Sequence, residues 1–120
     1  KIDTMNKSIE DLNAGISQIK PFNTADYFAQ AFWKILDKYG IEKKSRTGYS
    51  IGIGYPPDWG EHTLNIYKGD MTILEPNICF HMIAVMQFGE WGVEASEAIR
   101  VTDQGAELFC NMSKELHVKS

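Results

Sequence analysis

Cysteine is scarce in this chain. Only Cys79 and Cys110 occur, with no C-x-x-C spacing and no paired histidine motif beside either. A thiolate zinc site is therefore not expected, and both read as free buried thiols. Positive charge is also short, with 12 Lys and Arg against 16 Asp and Glu and a net charge of -4, which argues against nucleic acid as a partner. No apolar run approaches the ~20 residues that a bilayer-crossing helix needs, and no signal-peptide pattern opens the chain. No membrane partner is expected, and the cytoplasm is the default location. Internal repeats, low-complexity tracts and linkers are missing too, so residues 1–120 read as one unit with one core. The chain enters a helical pattern directly from Lys1, which predicts a piece of something longer rather than a complete enzyme.

What is present is ordinary globular material, 43% hydrophobic and 23% charged. Ile2, Met5, Ile9, Leu12, Ile16 and Ile19 recur at three- and four-residue spacings and predict a helix over 2–19. Lys20-Pro21-Phe22-Asn23 breaks it. Asn23 or Thr24 then caps a second helix whose stripe runs from Tyr27 to Tyr39, and Gly40 ends that helix. Thr63 to Tyr67 reads as a short extended piece, Lys68-Gly69-Asp70 and Glu75-Pro76-Asn77 as turns. The nearly continuous apolar run from Ile78 to Gln87 predicts a strand buried on both faces. Gly89 to Gly92 is a turn, Val93 to Thr102 the next strand, and Ala106 to Cys110 a last short one. Two helices followed by strands give the α+β class, with the helices packed on an antiparallel sheet.

The densest signal is Gly48-Tyr49-Ser50-Ile51-Gly52-Ile53-Gly54-Tyr55-Pro56-Pro57-Asp58-Trp59-Gly60-Glu61. Four glycines, two prolines, two tyrosines and a tryptophan within fourteen residues predict a shaped loop rather than regular core. Its Gly-Tyr-Ser-Ile-Gly resembles the Gly-His-Gly-Ile-Gly segment of the pita-bread hydrolases, the creatinase, prolidase and methionine aminopeptidase superfamily. Further along, Leu74-Glu75-Pro76-Asn77-Ile78 resembles the creatinase pattern Leu-Glu-Pro-Gly-Met, and Val101-Thr102-Asp103-Gln104-Gly105 resembles the last strand and turn. The opening helices around Lys20-Pro21 are similar to the paired helices of that superfamily. The resemblance implies the C-terminal half of a pita-bread catalytic domain.

Carried over residue by residue, the resemblance puts Tyr49, Ile83 and Ser96 where metal-dependent members have their C-terminal ligands, and puts the two aspartate ligands upstream of Lys1. Isoleucine has no lone pair, and a neutral serine is a weak ligand for a divalent ion. No metal and no other cofactor are expected. Gly-Tyr-Ser-Ile-Gly, Tyr-Pro-Pro-Asp-Trp-Gly-Glu and Phe-His-Met-Ile look most like the metal-free ectoine hydrolases and their relatives. That likeness implies hydrolysis of a C–N bond in a small zwitterionic or peptide-like, amino-acid-derived substrate. Two alternatives are a non-catalytic binding module on the same fold and an Xaa-Pro dipeptidase whose ligands lie elsewhere in the chain.

The candidate catalytic residues are His81, Glu94 and Tyr49. On the strand from Ile78, His81 shares a face with residue 83, and an imidazole can give or take a proton at neutral pH. Glu94 shares the face of Ser96 on the next strand, where an apolar setting would demand a cation such as Arg46, Arg100 or a substrate group. Glu97, on the opposite face, reads as exposed. Tyr49 is a hydroxyl donor at the mouth of the loop. Trp59, Asp58, Glu61 and Ser96 are candidate substrate contacts, with Tyr55 and Trp91 as further aromatic walls and His62 on the polar rim. The expected assembly is a homo-oligomer, or union with an upstream half of the same enzyme.

Overall fold

The computed structural model describes residues 1–119. Helix α1 spans Ile2–Ser17 and α2 spans Ala25–Lys38; five strands follow, β1 (Gly48–Ile51), β2 (Gly60–Ile66), β3 (Cys79–Phe88), β4 (Trp91–Val101) and β5 (Ala106–Leu108). They form one antiparallel sheet in the order β2-β1-β3-β4-β5. Both helices lie on one face of it. No described helix is long and apolar enough to cross a membrane.

Local chemistry explains the helix boundaries. Thr24 caps α2, its Oγ1 accepting the Tyr27 N–H at 3.2 Å. The turn before it is pinned by Phe22 and Ala25, whose N–H groups donate to the Leu74 and Thr72 carbonyls at 2.7 and 2.8 Å. This seats the fully buried Leu74 beneath α2's start. The two helices cross where Gly15 meets Phe32: a Cβ on Gly15 would stand 1.9 Å from the ring.

Three expectations change here. The run in β3 is buried on one face only, with Phe80, Met82, Ala84 and Met86 under the helices and His81, Ile83 and Val85 half-buried on the other. Strict alternation is the mark of a sheet with a single covered face. The glycine-rich stretch is not all loop, because Gly48–Ile51 is a strand inside the sheet, paired with β2 and β3. Gly48 suits that place: a Cβ there would lie 2.9 Å from Ile66 and 3.1 Å from the His81 carbonyl. A register shift between Tyr49 and Ile51 then releases the chain into the loop proper, and β2 begins at Gly60, earlier than Thr63. Finally, the cysteines are not buried: Cys79 is half-buried and Cys110 exposed.

The core joins the inner faces of α1 and α2 to the helix-facing side of the sheet, with Phe28, Phe32 and Phe80 fully buried beside Leu12, Ile66, Met82, Ile99 and Val101. Each such side chain stabilises the fold by about 1.5–3 kcal/mol relative to exposure. Among the described residues no helix or strand lies on the opposite face of the sheet, and the candidate chemistry lies there.

Candidate active site

Register decides which candidates share that open face. Directly opposed residues in an antiparallel pair point the same way. Tyr49 opposes His81, His81 opposes Ala98, Ile83 opposes Ser96 and Val85 opposes Glu94. Tyr49, His81, Ser96 and Glu94 therefore all project from the open side.

Tyr49 and His81 meet. The phenol oxygen lies 3.0 Å from His81 Nδ1, with the rings edge to face at 5.4 Å between centroids. Arg46 covers the other side of the tyrosine, its guanidinium carbon 4.7 Å from the ring centroid, and donates through Nη1 to Asn65 Oδ1 at 2.6 Å. Tyr49 thus packs against His81 and Arg46. The strand-face pattern anticipated His81; Arg46 and Asn65 carried no sequence signal as a clamp on Tyr49.

Glu94 does not join them. It is exposed and opposes Val85, four residues along β3 from His81, roughly 13 Å at the usual rise per residue. It lines a separate groove with Val85, Gln87 and Trp91. No apolar enclosure forces a partner on it. Lys43 is the cation whose charge it feels; Arg46 bonds Asn65, and Arg100 bonds Glu107 and Asn77. The relation between Glu94 and Glu97 is the reverse of the expected one, since Glu97 lies on the helix-facing side with a side chain only 10% exposed.

The loop acids hold the loop. Asp58 accepts the Gly60 N–H at 2.9 Å and pairs with His62, and these hold its carboxyl below the usual range, the Gly60 bond first. Glu61 accepts the Gly54 N–H. Trp59 and Tyr55 are exposed, with ring centroids 6.4 Å apart. Trp91 is not their partner. It stacks on Phe88 at 4.9 Å, at the far end of β3 from the loop, whose residues Gly52 and Ile53 share a groove with Asn77 and Cys79.

Ile83 and Ser96 face each other on neighbouring strands, and neither can replace a carboxylate at a divalent ion. Among the described residues no group of three His, Cys, Asp or Glu is placed to hold a metal. The donor set on this face does not fit a dinuclear centre.

Comparison with known proteins agrees with this picture in part. Residues 2–103 match metallopeptidase family M24. The chain is 39% identical over 112 residues to the ectoine hydrolase of Halomonas elongata and 36% identical over 111 residues to an uncharacterized hydrolase/peptidase of Sinorhizobium fredii. Each alignment covers 92% of this chain and 28% of the relative; the chain thus spans little more than a quarter of these relatives. Among solved structures, a dipeptidase from Mycobacterium ulcerans superposes with a TM-score of 0.84 at 24% identity, over 95% of this chain and 30% of that one. A prolidase from Pyrococcus furiosus gives 0.83 at 18% identity, over 92% and 32%. The two helices and five-stranded sheet are half of a pita-bread fold.

Proposed function

We propose, from the premise that this chain belongs to metallopeptidase family M24, that it is the C-terminal part of a hydrolase that cleaves a C–N bond in a small amino-acid-derived substrate without a metal. A substrate like that of the ectoine hydrolase relative fits best. The observation that carries this reading is the hydrogen-bonded Tyr49–His81 pair on the open face, beside an Ile83–Ser96 pair unable to serve as carboxylate ligands. With the phenol oxygen accepting from His81 Nδ1–H, Nε2 presents a lone pair toward the open face and takes a proton from an attacking water. Ser96 supplies a hydroxyl near the same surface, and Trp59 an exposed ring for a cationic group. The remaining groups would come from the rest of the parent chain. The parent is expected to be cytoplasmic and oligomeric.

A second reading, a binding module without catalysis, is favoured by one observation: Glu94 stands apart from the other two candidates, while Asp58 and Glu61 are engaged in the loop. The two readings separate in the full-length parent. Elemental analysis of protein purified without chelator is expected to find less than one divalent ion per chain, and ectoine or a related cyclic amidine is expected to be hydrolysed. His81→Gln should lower kcat about 100-fold or more. Two bound metal ions would overturn the metal-free reaction, and a His81→Gln enzyme of undiminished kcat would remove His81 from the chemistry.

A further inference from the structure

A groove of about 400 Å³ opens at the free edge of β4, between α1 and the segment after β5, and reaches His81 and Ser96. Met5, Ile9 and Leu12 of α1 and Met112 of the C-terminal segment give it apolar walls. Two charged side chains border it, Glu97 and Lys114. Glu97 is nine-tenths buried, which costs free energy unless the carboxylate is paired and hydrogen-bonded. Lys114 Nζ stands 3.9 Å from its Oε2, attraction without a hydrogen bond. Among the described residues neither group has a hydrogen-bonding partner.

We propose that this groove binds a free α-amino acid with an apolar side chain. Its ammonium donates to Glu97, its carboxylate accepts from Lys114, and its side chain lies among Met5, Ile9 and Leu12. Insertion replaces one long ion pair with two charge-assisted hydrogen bonds of ordinary length. A ligand of either single charge leaves Glu97 or Lys114 facing a like charge or an apolar group, so the zwitterion is the species that satisfies both. The volume lies in the range of small-molecule sites. Cys110 borders the groove and is exposed, so occupancy is readable at its thiol.

The test is titration of the full-length protein with L-leucine, followed by calorimetry and by the rate of Cys110 alkylation measured by mass spectrometry. Saturable binding that slows alkylation of Cys110 is expected. Isoamylamine and 4-methylpentanoate, which each lack one charge, should bind at least 10-fold more weakly. Glu97→Gln and Lys114→Met should each weaken leucine binding at least 10-fold, while Glu90→Gln, on the exposed β3–β4 turn, should not. Thermal melting checks that each variant is folded, and the two independent variants guard against one that is not. Absence of saturable binding overturns the proposal, as does an amine that binds as tightly as leucine. Leucine binding that survives Glu97→Gln does not use the Glu97–Lys114 pair and also overturns it. Because the readout is binding and not turnover, the result stands whether or not the parent is a hydrolase.

Discussion

Asp11 is fully buried on α1, and neither carboxylate oxygen has a hydrogen bond among the described residues. Burial pushes its pKa up from 3.8 to about 7; Lys43 opposes the rise and Glu10 adds to it. Burial likewise lowers the pKa of Lys43, against the pull of Asp11 and Glu94. In the unfolded chain Asp11 titrates near 3.9, so between about pH 4 and pH 7 the folded state holds a proton that the unfolded state releases. Stability from this group is fully present below pH 4 and falls as pH rises through 7. The loss is on the order of 2–4 kcal/mol. Asp11→Asn cannot ionise, so urea unfolding from pH 4 to pH 8 should show the variant losing much less stability than the wild type over that range; parallel profiles would disprove the assignment. The sequence concealed this residue. Its apolar stripe marks one side of the helix, whereas Ser8, Asp11 and Gly15 form a second buried line at helical spacing, small or polar and so invisible to hydrophobic periodicity. At the candidate site, strand parity did place His81 and Glu94 on one face. Depth was not legible, because exposure of Glu94 depends on what covers the sheet, and nothing in a strand's own alternation records that.

Between elements, the closest approach is α1 on α2 at Gly15, where any side chain meets the Phe32 ring. Phe32 is itself fully buried and has no room to retreat within a close-packed core. Gly15→Ala gains up to ~1 kcal/mol in helix propensity but forces overpacking that costs about 1–3 kcal/mol. Net destabilisation is expected, measured as a lower urea midpoint with an unchanged m-value. A midpoint equal to or above the wild type would mean that the helices separate more easily than this crossing implies. The helices themselves were well marked in the sequence: the Lys20-Pro21 break, the Thr24 cap and Gly40 bound them close to Ile2–Ser17 and Ala25–Lys38. The β3–β4 hairpin was equally plain, since a long apolar run leads into its glycines and a second strand pattern follows them. Strand β1 was not, because its glycine and serine lack a strand's composition and the segment is held by neighbours on both edges. That pairing is non-local, and no window of sequence contains it.

At the scale of the whole molecule, one sheet face is covered by helices and the other carries half-buried Tyr49, Ile83 and Val85 with exposed Ser96 and Glu94. Apolar side chains are exposed elsewhere too, with Ile53 at 98%, Tyr55 at 82% and Met112 at 76%. Large contiguous apolar exposure is uncommon on monomers, and relatives of this chain are more than three times longer than the part it matches. We propose that this face is met by more protein, from the parent chain or from a second copy. Produced by itself, the 120-residue chain should self-associate, its average mass by light scattering rising with concentration. The interaction is apolar in the main, so added salt should not dissolve it, in contrast to an assembly held by surface charges. Placing a lysine at Ile83 or Val85 puts a charge on the open face without entering the core, and should shift the equilibrium toward monomer while leaving the helical circular dichroism signal intact. A chain that stays monomeric across the whole series, with and without those lysines, would show that the open face is stably solvated as it stands.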